Sequence, residues 1–482
     1  MNDQTLSTLS ILAELSKSTA MSLEDIIATE IKEFKESKKY KIMLEAEDYY
    51  LNRSDVQNKQ NEVSQRSNTK IEYPILKKLI DQKINYLLTR DFSIDTEKEE
   101  YSDALNEVFD ASFRKKLKSF VRGAIKSGIC WMQPYFDGTL KFMRISATEV
   151  IPFWKDTEHT QLDCFIRFYE QEIYIGKDKK IVIKAEFWDL EGVKYYVSTD
   201  EKGDSFLPDN DKGIESNHII ITSKSGVTQE FNWEEIPILW IKYNEEELPL
   251  FYFLKELIDN YNWQASSPSD ILKDITKFVW VLKNYGGEDL GEFVENLKKF
   301  LAIKVEENGG VDKLEPTLNI DASMQMIEKM RADIYDYGNG VDTKDENLGN
   351  SSGVAILFRY TDLDNEGSNL SNELKECFQR LKIFLDFYFQ ATGKGKFLED
   401  DFDITFNADM PVNETDVINN VRTSDGVVST RTLLENHPWV TDIEKELEEI
   451  DEEKKKALEE YGEGLFSPQL QNGQGMNDGQ KS

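Results

Sequence analysis

The chain has little with which to build a metal or redox centre. It carries three cysteines, Cys130, Cys164 and Cys377, an odd and scattered set with no CxxC pair. That pattern argues against a disulfide framework or a thiolate zinc site and points to a reducing compartment. Its three histidines, His159, His218 and His437, form no HExxH motif, and His437 directly precedes Pro438 in what reads as a turn. A histidine-ligated catalytic metal is therefore not expected. Neither GxxxxGKS/T nor GxGxxG occurs, and Gly393-Lys394-Gly395-Lys396 lacks the spacing a phosphate-binding loop needs, so ATP hydrolysis is not expected either. Clean apolar runs are short, as at Phe278 to Leu282, against the ~20 residues that cross a bilayer. Residues 1–17 carry Asp3 where a signal peptide has a basic region, so none is expected there. Positive charge is scarce as well: 58 Lys and Arg stand against 91 Asp and Glu, a net charge of −33. Such a surface repels phosphate and anionic lipid, and tight groove binding of DNA is not expected.

What is present suffices for real cores. Of 482 residues, 39% are hydrophobic and 11% aromatic, too many for a disordered chain, and the length suits two to four domains. Residues 4–120 read mostly helical, with Ile75/Leu76, Leu79/Ile80, Ile84 and Leu87/Leu88 at helical spacing behind Pro74. From Gly128 to about Tyr243 short alternating runs are punctuated by Asp137-Gly138, Glu191-Gly192 and the polar stretch 198–216, a β-rich lobe. Its aromatics, among them Trp131, Phe153, Trp154, Phe165 and Trp188, are read as sheet core rather than a ligand cleft. Residues 248–275 predict one long helix striped by Leu254, Leu257/Ile258, Tyr261 and Ala265, with a kink at Pro268.

An insert follows: a strand at 278–283, a Gly286-Gly287 turn, a helix over 289–300, then two short strands around Asn308-Gly309. Residues 321–337 predict a second helix, capped by Asp321 and carrying Met324, Ile327, Met330/Arg331 and Ile334. Residues 338–354, GNGVDTKDENLGNSSGV, read as a loop. A helical tract over 354–390 is expected to break near 362–367, a strand or two to lie in 397–411, and helix to resume over 413–464. Residues 441–463 are heavily acidic, yet Ile443, Leu447, Ile450 and Leu458 mark a buried face. The Gln/Asn/Gly-rich residues 466–482 read as disordered. The class is α+β.

One stretch has metal-ligand spacing. Asp362, Asp364, Glu366 and Glu373, with Gly367, match positions of a calcium loop, whose spacing wraps oxygens around a hard cation. Glu at the third acidic position and Asn369 where an apolar anchor belongs weaken the match, and a kinked, solvated helix is the favoured reading. Paired acids with exposed aromatics also suit a glycosidase, whose two carboxylates lie about 5–10 Å apart, but nothing singles out two from 91. No catalytic residue and no cofactor is assigned.

Six stretches follow one another along the chain: YPILKKLIDQKINYLL (73–88), IKSGICWMQPYFD (125–137), LKFMRISATEVIP (140–152), IPILWIKYNEEEL (236–248), the tract 251–282, and IYDYGNGVDTKDENLGNSSGVAILFRY (334–360). In that order they resemble the portal proteins of tailed bacteriophages, in the branch common among long-tailed phages of Gram-positive hosts. The last is similar to the family's helix, loop and N-x-SGVA helix start. Ser146-Ala147 departs from the proline-containing step more usual there.

The resemblance implies a portal-type fold with wing, stem helices, small βαββ clip and helical crown, closing as a dodecameric ring at one capsid vertex. Residues 1–247 would be wing, 248–275 and 321–337 stem helices, 276–320 clip, 338–352 channel (tunnel) loop, 353–411 the long wing helix and strands, 412–465 crown, and 466–482 tail. It implies channel-loop roles for Asp342, Lys344, Asp345, Glu346 and Asn347, Lys344 being expected either to approach phosphate or, equally, to pair with a neighbouring carboxylate between subunits. Gly338, Gly340, Gly349 and Gly353 would be hinges. Leu257, Ile258, Tyr261, Ile327, Met330 and Ile334 would pack stem against stem between subunits. Implied partners are the terminase large subunit, head-completion or adaptor proteins, major capsid and scaffolding proteins, and duplex DNA passing without sequence specificity. No membrane partner is implied. The virion is the expected location, with the host cytoplasm during assembly. A carbohydrate-active enzyme and another phage head or tail structural protein are the rival readings.

Overall fold

The computed structural model describes residues 22–60, 67–175, 177–222, 228–275, 279–283, 308–314, 320–344, 353–408, 414–435, 437–440 and 443–464, with 289, 291, 295 and 299. Two compact units emerge, one of residues 1–343 and 360–409, the other of 344–359 and 410–482. Helix and strand segregate along the chain, the arrangement of an α+β fold.

The first unit opens with α1 (Leu23–Glu36) and α2 (Lys38–Tyr50). Ser22 and Asp25 form a reciprocal capping box at the start of α1, and the single residue between the helices, Ser37, caps α2 by accepting from the Tyr40 N–H. Helix α3 (Ile75–Leu88) follows Pro74 and buries the whole predicted stripe, together with Lys83. Strand β1 (Ser93–Asp95) and α4 (Glu99–Val108) lead to α5 (Ala111–Ser127), capped by Asp110. Gly128 ends α5 with φ 88°, and a Cβ there would lie 2.0 Å from the Glu247 carbonyl oxygen, so both backbone angle and space require glycine.

The β-rich lobe holds β2 (Ile129–Asp137), β3 (Thr139–Ile145), β4 (Val150–Trp154), β5 (Leu162–Ile175), β6 (Asp178–Asp189), β7 (Gly192–Ser198), β8 (Phe206–Pro208), β9 (Glu215–Ser216), β10 (Ile219–Thr222), β11 (Thr228–Phe231) and β12 (Leu239–Lys242). One sheet has the order β12-β2-β3, another β4-β5-β6-β7-β8 with β9 on β7, and all these pairs are antiparallel. Strand alternation makes the first sheet a partition: Cys130 and Met132 face a core built on the helices, whereas Ile129 and Trp131 face a core built on the second sheet and α1. Trp131, Phe153 and Phe165 are buried, as read from the sequence, and Trp154 and Trp188 pack against the same core.

Helix α6 (Leu250–Ile275) runs through Pro268. Strands β13 (Val279–Lys283) and β14 (Gly310–Leu314) pair antiparallel, Val279 opposite Leu314. The Gly286-Gly287 turn, most of the expected 289–300 helix and the strand expected before Asn308 lie outside the described residues. Helix α7 (Ile320–Tyr337) begins one residue before Asp321, which sits in its first turn and acts there through its charge. Helix α8 (Gly353–Thr392) corrects the expected break: it is continuous through 362–367. At Gly367 the Tyr86 ring lies 3.0 Å from where a Cβ would be, so a larger residue there would have to push the ring aside. Strand β15 (Asp403–Thr405) pairs with β1.

The second unit holds α9 (Glu414–Ser424), α10 (Thr430–Glu435) and the acidic α11 (Ile443–Gly464). Ile443, Leu447 and Ile450 are half-buried rather than buried, and α10 buries nothing. The side chain of Leu458 and residues 466–482 lie outside what is described.

Candidate functional site

Interest centres on the segment that leaves α7, because the residues around it come from far apart in sequence. Helix α7 ends in a Schellman motif: the Gly340 N–H donates to the Tyr335 carbonyl (2.8 Å) and the Asn339 N–H to that of Asp336 (3.1 Å). The left-handed position is filled by Asn339 (φ 48°), which tolerates it through its short polar side chain. The two flanking glycines have no left-handed φ; a Cβ on Gly340 would lie 2.3 Å from Leu79 Cδ2, and one on Gly338 2.9 Å from Leu79 Cδ1, so their lack of a side chain lets α3 pack against the turn.

From Val341 onward the backbone is held by side chains. Val341 is 4% exposed; its N–H donates to Gln82 Oε1 and its carbonyl accepts from Gln82 Nε2, both at 3.0 Å. Asp342 takes a two-pronged bond from Arg331, 2.5 Å to Nε and 2.7 Å to Nη2, and the guanidinium lies over the Tyr335 ring. Lys78 Nζ reaches Thr343 Oγ1 at 3.4 Å. Behind the turn, buried Lys83 donates to the Asn339 carbonyl (3.1 Å) and pairs with Glu366, whose other oxygen accepts from Tyr243 OH (2.5 Å). Burial draws the Lys83 ammonium below its ordinary range despite Glu366, and burial together with Glu366 pushes the Tyr243 hydroxyl well up. The bonds place a charged ammonium against a carboxylate and a neutral phenol.

Of the residues expected in the loop, Asp342 is thus committed to Arg331, Lys344 is exposed, and Gly353 opens α8. Asp345, Glu346, Asn347 and Gly349 lie outside the described residues. Gln82, Lys83 and Arg331 were not singled out from the sequence as loop supports. A signal existed: Gln82-Lys83 interrupts the apolar stripe of α3, and a lysine on a buried face needs a partner.

Of the expected stem residues, Ile258, Tyr261, Met330 and Ile334 are buried, and Leu257 and Ile327 partly so, in the subunit's own helical core, where α6 packs on α7. The opposite faces carry large exposed apolar groups: Tyr252 (51%), Phe253 (53%) and Trp263 on α6, Met324, Met326 and Tyr337 on α7.

The calcium spacing dissolves in the fold. Its carboxylates lie along the uninterrupted α8, which cannot wrap a cation as a loop does. Asp362 is exposed, Asp364 accepts from Tyr86 OH, Glu366 is paired as above, and Glu373 accepts from the Lys242 N–H. Among the described residues no group of three or more His, Cys, Asp or Glu could hold a metal. His159 bonds Glu247, and His218 lies on the Asp189 and Gly192 carbonyls; burial pulls its imidazole below the ordinary value. The three cysteines are buried and form no disulfide, and burial pushes their thiols up, Cys377 to about 12, away from nucleophilic character. No helix among the described residues is long and apolar enough to cross a membrane.

Residues 30–460 match the family described as phage portal protein, SPP1 Gp6-like. Similar proteins include the portal protein of Bacillus phage SPP1, 28% identical over 403 residues (82% of this chain, 78% of that protein). The portal protein of Clostridium phage phiCD119 is 26% identical over 440 residues, 86% of this chain and 92% of the relative. These are structural phage proteins and not enzymes, which removes the glycosidase reading. With the match extending over nearly all of its length, the chain belongs to the SPP1 Gp6-like family of phage portal proteins.

Proposed function

We propose that the chain closes as a dodecameric ring at one capsid vertex, through which duplex DNA is packaged and later ejected. Residues 1–247 and 353–411 form the wing, 248–275 and 321–337 the stem, 276–320 the clip, 338–352 the channel loop and 412–465 the crown. The clip meets the terminase large subunit during packaging and head-completion or adaptor proteins afterwards; the wing meets major capsid and scaffolding proteins. The observation that carries the ring is the outer face of α6 and α7. Tyr252, Phe253 and Trp263 leave large apolar groups in water in a subunit whose inner stripe is already filled, and clustered exposure of this kind marks a protein interface.

Charge supports the passage of DNA. Lysine and arginine contacts to phosphate hold a duplex through counterion release, whereas a subunit of net charge −33 repels it and lets it slide. That repulsion is screened beyond about 8 Å at physiological salt. In the loop, exposed Lys344 is the cation proposed to approach phosphate.

Electron microscopy of the purified protein tests the reading. Annular particles with an open centre are expected, and replacing Tyr252 and Phe253 by serine is expected to leave monomers of unchanged circular dichroism. Solitary compact particles of the unaltered chain at every concentration would refute the ring.

A further inference from the structure

The start of the 338–344 segment is fastened in an unusual way. A buried backbone must find partners for both its N–H and its C=O, and a strand or helix normally supplies them. Val341 belongs to neither, and the amide of Gln82 provides one acceptor and one donor, satisfying both groups of the same residue. One turn along α3, Lys78 reaches Thr343, and next to Gln82, Lys83 reaches the carbonyl of Asn339. Helix α3 thus touches residues 339, 341 and 343 in succession, every second residue, as a neighbouring strand would.

Lys83 does more than hold the turn. Its ammonium is buried, which is tolerable only with a charged partner, and that partner, Glu366, comes from α8, beyond the far end of the loop. The second oxygen of Glu366 is closed off by Tyr243, just after β12. A single cation therefore ties together the backbone before the loop and the helix after it. Arg331, by contrast, reaches Asp342 from α7 itself and adds no link to α3 or α8.

We infer that Gln82 and Lys83 are positioning residues for the channel loop: they pin its first residues to α3, so that every subunit presents the loop from the same backbone anchor as DNA passes. This rests on the reading of 338–352 as the channel loop. Purely structural glue would make a different prediction, because Gln82 is only half-buried and its loss leaves the cores intact.

The test uses full-length Gln82→Ala and Gln82→Glu in assembled protein. In Q82A, hydrogen exchange of the peptide spanning 338–344 is expected to speed up by about tenfold, two backbone bonds having been removed. Melting temperature and ring formation should stay as in the unaltered chain, while the yield of DNA-filled heads, in a phage complemented with the variant, falls severalfold. Q82E keeps the acceptor for the Val341 N–H and loses the donor to its carbonyl, so it should fall between the two. Unchanged exchange in Q82A would overturn the anchor. Faster exchange with undiminished filled heads would overturn the positioning role, as would loss of filled heads that merely tracked a lowered melting temperature. Failure of the channel reading itself is seen separately, in the unaltered chain, as absence of annular particles.

Discussion

In the first unit, helices α6 and α7 turn Leu254, Ile258, Met330 and Ile334 into a closed core and leave a second set of apolar groups outside. In the C-terminal unit, α9 to α11 show only the second behaviour. Ile443, Leu447 and Ile450 are half-covered, Val427 and Trp439 are largely exposed, and none of the described side chains from 410 on is buried. Amphipathic helices in one chain can thus spend their apolar faces in two ways, internally or toward something not of the same fold unit. Most helical stability comes from packing an apolar face, so the first unit should stand on its own contacts and the second should depend on added ones.

The largest expected effect tests that contrast directly. Ile334→Ala empties a fully buried site and should lower stability by about 4 kcal/mol, whereas Leu447→Ala, at a half-covered site, should cost under about 1 kcal/mol. Thermal melting of the two variants decides it; equal losses would mean the C-terminal helices have a core as complete as the stem's. Next comes Lys83→Met, which strands the buried Glu366 carboxylate and should cost about 3 kcal/mol, with much of that recovered in Lys83→Met/Glu366→Leu. Denaturant midpoints of the single and double variants give the answer, and a double no better than the single would show that the pair is not the unit of cost. A smaller effect on the fold is expected from Trp263→Ser on the outer face of α6, within about 0.5 kcal/mol in the monomer. The same variant should nevertheless weaken ring assembly, read by sedimentation; a destabilised monomer would place Trp263 in the subunit's own packing.

Much of this was legible in the sequence for a physical reason. Periodicity reports that a helix has an apolar face, and it located α3, α6, α7 and α8 well. It does not report what covers that face: the burial of Ile258 and Ile334 in the subunit's own helical core could be seen only in the fold. Spacing alone left Asp362 to Glu373 open because a calcium loop and a helix can share the same letters; the fold makes it one uninterrupted helix, without the expected kink. The loop supports escaped for the same reason: Gln82 and Lys83 act across more than 250 residues of sequence, which no local pattern encodes. The acidic composition, by contrast, was plain and needed no structure.

Charge gives the finest test of the contrast. In the first unit Glu247 is buried beside Lys39 and His159. Burial alone would raise its carboxyl, but Lys39 and then His159 outweigh it and hold the group below its ordinary value. A carboxylate depressed in the folded state contributes stability that is complete above its unfolded pKa, about 4.3, and is lost as pH falls through the folded value. Glu247→Gln should therefore flatten the loss of first-unit stability below about pH 4.3, measured as melting temperature against pH. In α11, Glu448 and Glu452, like Glu449 and Glu453, stand four residues apart, where like charges repel by a few tenths of a kcal/mol per pair. Ion pairs such as Lys445 with Glu449, 3.8 Å apart at the surface, offset little of this. Removing like charges should relieve the repulsion, so a peptide of residues 443–464 carrying Glu452→Gln and Glu453→Gln should show more helical circular dichroism than the unaltered peptide. If its helix content falls instead, the surface ion pairs and not the excess of acid govern α11, and the two units respond to charge alike.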